Sequence, residues 1–371
     1  MPKSGSATLP LHYGHPPVRL YKKMVELGGI LSDLIIQKYG VNDLLEKISD
    51  PFWFHSLSLA IGFDWNSSGT TTTTLAALKE AMESGKGGEL RILGGKGPRM
   101  GSVARDSQQI VDDGFLSDAA MGTVLRAAKS IARVDQNLLQ DGFDLYMQFI
   151  CVTGNGRWAV VQQGMNREER LARRYHWLDQ LSKELINDNR AGLSAERVEN
   201  SVRDLSTARS EMNRRGMVDI IKERPERLRD RFNYGGQTDL FSFVLEKKPL
   251  NLFMKVDWKR LSEIYEYNPS NFKEMMNIRG VGKSALRAIS YMAEIVYGNA
   301  PSFVDPVKYS FALGGKDGIP KPVNYKDYQE CIDFYHEVLG NLRGGDRRLD
   351  RIAMNLSRLS LEATKTGSRD P

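Results

Sequence analysis

The sequence predicts an α+β protein that is predominantly helical, with a small β-hairpin or sheet core in the N-terminal half and an all-α C-terminal region. Three stretches carry that prediction. In 143–151, Phe143, Leu145, Met147, Phe149 and Cys151 alternate with Asp144, Tyr146, Gln148 and Ile150, the period of a strand with one buried and one open face. In 18–37, Leu20, Met24, Leu27, Leu31 and Leu34 repeat at helical spacing. In 272–297, two helical segments flank Gly280-Val281-Gly282. At 371 residues the chain has room for several domains, and its composition divides it into an α+β part (1–165), a charged helical part (166–235) and a helical part with a disordered tail (236–371).

Residues 2–17 are rich in Gly, Ser and Pro, and their prolines forbid a regular helix. His12 and His15 lie three apart, but a metal would need a third ligand and none is close in sequence. After the first long helix, shorter ones follow at 41–48 and 52–61, with Pro51 well placed to start the second. The rings of Phe52, Trp53, Phe54, Phe63 and Trp65 are dense enough to read as core rather than as a base-stacking platform. Ser67, Ser68 and five threonines open an amphipathic helix, and its N-terminus either holds a phosphate or is capped by its own hydroxyls. A strand at 89–93 then leads onto Gly94-Gly95-Lys96-Gly97-Pro98-Arg99, a loop in which backbone N–H groups, Lys96 and Arg99 could meet an anion. The spacing is not that of a nucleotide P-loop. A helix at 118–134 delivers the chain to the hairpin.

The hairpin turns at Thr153-Gly154-Asn155-Gly156 and returns through 157–163. A two-residue loop there puts Gln163 opposite Tyr146 or Gln148 on the open face and turns Gln162 to the apolar side. Past Gly164, Asn166 is expected to cap a helix carrying Arg170, Arg173, Arg174, His176 and Trp177. One surface then gathers carboxylates, a phenol, amides, guanidiniums and an imidazole. Charged helices are expected to continue to 231, with breaks at Gly192 and Gly216. A strand at 240–245 precedes Glu246-Lys247-Lys248, but Asp239 sits too close to Glu246 for a P-D-(D/E)-x-K nuclease. A glycine–lysine loop at 313–318 and helices at 326–339 and 346–363 close the chain.

Composition narrows the classes. Lys+Arg 52 against Asp+Glu 46 gives a net charge of +6, a weak bias toward polyanionic partners. No apolar run is long enough for a bilayer span and the start does not read as a signal peptide. Cys151 and Cys331 lack the spacing of a metal knuckle or a disulfide framework, so a cytoplasmic location is expected.

In 272–297, Met275 and Ile278 precede Gly280-Val281-Gly282, and Leu286 and Ile289 follow it. This resembles the helix-hairpin-helix motif, and the resemblance implies that Gly280, Val281 and Gly282 present backbone N–H groups to a DNA phosphate, with Lys283, Ser284 and Arg287 adding contacts. Leu286 departs from the pattern, which most often has a small residue there. The set LPLHYGHPP, GFDWNSSG, GGKGPR, QDGFDLY, WAVVQQGMN and ARRYHW resembles a largely archaeal, uncharacterised domain-of-unknown-function family that also carries a Gly-Val-Gly hairpin near its C-terminus. That resemblance implies a shared fold and site but no reaction.

The residues themselves point to a DNA-acting protein, with a metal-assisted DNA-repair nuclease as the first expectation. Asp135, Asp141 and Asp144 would hold Mg or Mn, Gln163 and Asn166 would orient a phosphate or water, Arg173 or Arg174 would neutralise developing charge, and His176 would be the general acid/base. The alternatives are a non-catalytic DNA-binding adaptor and a base-excising or base-modifying enzyme with Trp158, Tyr175 and Gln163 around a flipped base.

Overall fold

The structure is a computed structural model that describes residues 9–10, 16–62, 67–85, 88–180, 185–187, 192–194, 202–234 and 256–306. The expectations for His12, His15, Phe63, Trp65, Cys331, the strand at 240–245 and everything after 306 lie outside the described residues. After the short strand β1 (Leu9–Pro10), four helices form one layer: α1 (Val18–Tyr39), α2 (Val41–Ser49), α3 (Pro51–Ala60) and α4 (Ser68–Glu83). Met24, Leu31 and Ile35 bury one face of α1, while Leu20, at the end of the predicted stripe, is exposed. Asp50 caps α3 by accepting from the N–H groups of Phe52 and Trp53, and Pro51 occupies its first turn. Phe54 is wholly buried and Phe52 nearly so, which bears out the core reading for these two rings.

The sheet is built from β2 (Leu90–Lys96), β4 (Asp144–Thr153), β5 (Trp158–Asn166) and β6 (Leu171–Leu178), all antiparallel in the order β2-β4-β5-β6 once β3 (Leu139–Gln140) is set aside. β1 and β7 (Gly192–Ser194) both pair with β6, and β3 pairs with β8 (Arg203–Asp204) in a separate ladder. Between β2 and β4 lie a 3-10 turn (Gly97–Ser102), α5 (Val103–Asp112), α6 (Asp118–Arg133) and a π-helical turn (Val134–Leu138). Beyond β8 come α7 (Glu211–Lys222), α8 (Pro225–Tyr234), α9 (Trp258–Tyr267), α10 (Phe272–Asn277) and α11 (Lys283–Tyr297). The fold is therefore predominantly helical α+β with a small antiparallel sheet in the N-terminal half. Among the described residues no helix is long and apolar enough to cross a membrane.

Three local expectations are corrected. The hairpin loop has three residues, not two: Thr153 donates its N–H to the Arg157 carbonyl at 3.0 Å, and Gly156 turns with φ +80°. Pairing therefore runs Val152 with Trp158, Gln148 with Gln162 and Met147 with Gln163, one residue out of the predicted register. Secondly, Leu171–Leu178 is a strand, not a helix. Asn166 does not cap a helix: its Oδ1 accepts from the N–H groups of Glu168 and Glu169, 3.1 Å each, and closes a tight turn that Arg170 completes at φ 57°. Pairing with β5 overrides the local helical preference of Leu171 to Arg174. The sheet thus continues past residue 165, and the following stretch contains β6, β7 and β8 before helices resume at α7. Thirdly, β2 runs on to Lys96, so Gly94 and Gly95 lie in the ladder opposite Phe149 and Gln148 rather than in a loop. Gly94 adopts φ +91°, and a Cβ there would stand 2.3 Å from the Gln148 carbonyl oxygen.

The hairpin has no open face. Leu93, Ile150, Val152, Val160 and Trp177 pack with Met121, Val124 and Ile131 of α6, Met217 of α7, Met275 of α10 and Leu286 and Ile289 of α11. Ile92, Met147, Phe149, Cys151 and Val161 pack on the other side with residues of α1 to α4 such as Ile35, Leu45, Phe54 and Leu78. A sheet covered by helices on both sides buries the polar side chains at its centre, and that decides what its amides and arginines can do.

Candidate functional site

The predicted central constellation separates into two buried layers, because strand neighbours point to opposite faces. On the face toward α6 and α11, Asp135 stands in the π-helical turn with 1% exposure and accepts from the Gln162 amide at 2.6 Å and the Trp177 indole N–H at 2.7 Å. The Gln148 amide extends the chain by donating to Gln162 Oε1 at 3.0 Å and to the Ala128 carbonyl at 3.0 Å. Nearby, Asp141 accepts from Arg173 at 3.2 Å, from the Tyr175 hydroxyl at 3.1 Å and from the Phe143 N–H at 3.0 Å. Arg173 makes a two-pronged contact with Asp305, at 3.0 and 2.5 Å. Burial pushes the Asp141 carboxyl up, against the pull of Arg173. Burial also opposes the Arg173 charge, but Asp141 and Asp305 more than offset it and hold its pKa above the ordinary arginine value.

On the opposite face, toward α3 and α4, Gln163 and Arg174 are cross-strand partners and His176 lies one pleat along β6; all three have no exposed surface. The Tyr146 hydroxyl donates to Gln163 Oε1 at 3.0 Å, a contact made possible by the bulge between Leu145 and Met147. Arg174 donates to Thr71 Oγ1 at 3.3 Å and to the Pro51 carbonyl at 3.4 Å, and its guanidinium lies 4.7 Å from the Phe54 ring centre. Burial pulls its pKa down to about 9. His176 Nδ1 meets the Ile48 carbonyl at 3.1 Å, which makes it the N–H nitrogen, and burial together with Arg174 keeps the ring neutral by lowering its pKa well below the usual value. His55 shares this environment, its pKa lowered to about 3 by burial and then by Arg174.

The three predicted metal ligands are not brought together. Asp135 and Asp141 are held as just described, and Asp144, exposed at the start of β4, accepts from the Gln136 amide at 2.9 Å and faces Lys283 Nζ at 3.5 Å. Among the described residues no group of three His, Cys, Asp or Glu side chains could hold a metal ion. The base pocket of Trp158, Tyr175 and Gln163 is likewise divided by the sheet, since Trp158 and Tyr175 lie on the α6 face and Gln163 on the other. Nor does the Gly94 N–H await an anion, because Asp106 accepts from it at 3.1 Å while Lys79 bonds both Asp106 and the Gly94 carbonyl. Lys96 is exposed, its Nζ 5.7 Å from the Tyr146 ring centre; the Arg99 side chain lies outside the described residues. At α4, Ser67 and Thr70 form a reciprocal capping box, so the hydroxyl-rich start of that helix is accounted for by capping.

The Gly-Val-Gly turn presents a different surface. Met275, Val281, Leu286 and Ile289 are buried in one cluster with Met217 of α7. Gly280 adopts φ +87°, and the Arg260 guanidinium lies across it, 2.7 Å from where a Cβ would stand. α11 starts at Gly282 with no side-chain cap, so its first-turn N–H groups, which no helix can satisfy internally, are left to the surroundings. A cavity of about 150 Å³ opens there, lined by Asp257, Arg260, Gly280, Gly282, Ser284 and Ala285. Ser284 is exposed. Lys283 and Arg287 turn partly inward instead: Lys283 Nζ donates to the Phe143 carbonyl at 3.4 Å and Arg287 Nε to Gln140 Oε1 at 2.8 Å. Arg260, which lies before the 272–297 stretch, and Asp305, 132 residues after Arg173, had no sequence signal that singled them out.

A family model described as a protein of unknown function (DUF763) matches residues 5–323, and the chain belongs to that family. No curated protein and no solved structure matches it.

Proposed function

We propose that this DUF763 protein binds DNA through its phosphate backbone at the Gly-Val-Gly turn, without reading sequence. The observation that supports this reading is the uncapped start of α11, which opens into a solvent-accessible cavity beside Arg260 and Ser284. First-turn N–H groups that no side chain caps, with the positive end of the helix dipole, suit a phosphate oxygen, and the Arg260 guanidinium, which also bonds Glu263, suits a second one. Lys96 and Asn166 extend the proposal only as exposed or half-exposed polar groups on the sheet rim.

The residues described do not fit a Mg or Mn centre, since Asp135, Asp141 and Asp144 point to different partners, and no hydrolytic step is drawn through them. The reading is therefore the binding one, a DNA adaptor, with cleavage as the outcome that would displace it. The experiment is a binding titration on end-labelled single-stranded, duplex and branched DNA across a range of salt, with parallel incubations in Mg²⁺, in Mn²⁺ and in chelator. Binding that weakens steeply with salt, similar across sequences and independent of metal, is the expected result. Metal-dependent cutting would establish a nuclease, and no binding at low salt would remove DNA as the ligand.

A further inference from the structure

Among the described residues, the α3/α4 face of the sheet contains a buried positive charge with no counter-charge. Arg174 is fully buried, its partners are a hydroxyl and a carbonyl, and its Nε has no hydrogen-bond partner. Gln163 Nε2, directly across the ladder, is also without a partner, because Tyr146 occupies only the Oε1 side of that amide. His176 Nε2, one pleat along β6, is the third buried atom with none, and since Nδ1 carries the proton, Nε2 offers a lone pair. The Phe54 ring borders both Arg174 and His176, with ring centres 5.5 Å apart for the Phe54–His176 pair. Three unmet groups thus share one small region: two donors, one of them cationic, and one acceptor. An unpaired buried charge is among the most costly features a core can carry. The contrast with Arg173, which has two carboxylates, shows what this fold does with an arginine it means to neutralise internally.

We infer that Arg174, Gln163 and His176 form an internal site for a small oxyanion that keeps one O–H group, with inorganic phosphate as the type case. Two anion oxygens accept from the Arg174 Nε–H and the Gln163 amide, and the anion's own O–H donates to His176 Nε2. The anion supplies the missing negative charge, and its remaining proton satisfies the one acceptor. Sulfate, which carries no proton at neutral pH, would set an oxygen lone pair against the lone pair of His176 and is selected against. The site lies across the sheet from α11, so it neither requires nor follows from DNA binding at the Gly-Val-Gly turn.

The test uses the full chain in two ways. First, protein purified without phosphate buffers is exchanged into chloride, and its melting temperature is followed as inorganic phosphate or sulfate is added at matched ionic strength. Phosphate is expected to raise the midpoint by about 2 °C or more, in a saturable manner, with sulfate well behind. Second, phosphate released on denaturing the protein, after equilibration with phosphate and gel filtration, is expected to approach one per chain. Gln163→Leu should weaken the phosphate response, and His176→Phe should erase the preference over sulfate while leaving a folded protein to measure. A 5′-phosphorylated oligonucleotide should not reproduce the response to inorganic phosphate, because Arg174, Gln163 and His176 have no exposed surface; an equal response to it would contradict an internal site. Equal, non-saturating effects of phosphate and sulfate, with no phosphate released, would show that water satisfies these groups and would overturn the assignment.

Discussion

The sheet centre and the Gly-Val-Gly turn hold the two densest sets of polar residues that the sequence singles out, and they differ in what those residues face. On the α6 face of the sheet centre, Asp135 is bonded to Gln162, and Asp141 to Arg173 and Tyr175, all of them buried. At the turn, Ser284 and the uncapped first turn of α11 face a cavity open to solvent. A rich inventory of catalytic side chains is therefore not enough to mark a site. What separates the two regions is whether the groups are already satisfied by the protein, and that depends on elements far away in sequence, such as Asp305 for Arg173.

The comparison can be broken most forcefully at Arg173. Asp305→Ala leaves a buried guanidinium with half its counter-charge and is expected to destabilise the protein by about 3–5 kcal/mol, read by denaturant unfolding, with little change in DNA affinity of the folded fraction. A loss of DNA binding with unchanged stability would mean that the Arg173 cluster is a site after all. Asp135→Asn should cost less, about 1–3 kcal/mol, because it removes the charge that the Gln162 amide and Trp177 indole bond while keeping the shape.

Acid should then act on the other face. His55 titrates near 3 when folded and His176 well below the usual 6.5, so the unfolded chain binds protons that the folded chain refuses. Stability contributed by these rings is present above about pH 6.5 and falls as the pH drops from there toward 3. Asp141, whose pKa burial raises, titrates with the opposite sign, so the cleanest reading is the difference between wild type and His176→Phe in melting temperature from pH 7 to 5. The variant should show the shallower decline, and parallel curves would contradict the account.

Much of the fold was legible because it rests on local pattern. The helical period of α1 and the Asp50–Pro51 start of α3 follow from periodicity and capping alone. The sheet was legible in existence but not in register. A third loop residue at Gly156 shifted every partner on β5, and ladder pairing drew Leu171 to Arg174 into a strand although their local sequence suits a helix. The candidate site was legible as a list of residues, not as an arrangement, because 171–178 is a strand rather than a helix, and its alternation sends Arg174 and His176 to the face of Gln163 and Arg173 and Tyr175 to the other. Nothing local to Gly280 announced that Arg260 would lie across it.

The smallest predicted change in stability accompanies the most direct test of the DNA reading. Ser284→Glu places a carboxylate on the exposed first turn of α11, where the helix dipole favours it by about 0.3–1 kcal/mol, so the protein should melt at the same temperature or slightly higher. The same carboxylate stands where a phosphate would be held and should repel it. Affinity for a fluorescently labelled duplex, measured by anisotropy at fixed low salt, is predicted to fall by roughly tenfold or more while stability is kept. Unchanged affinity in a protein of normal stability would contradict the central claim that the start of α11 grips DNA.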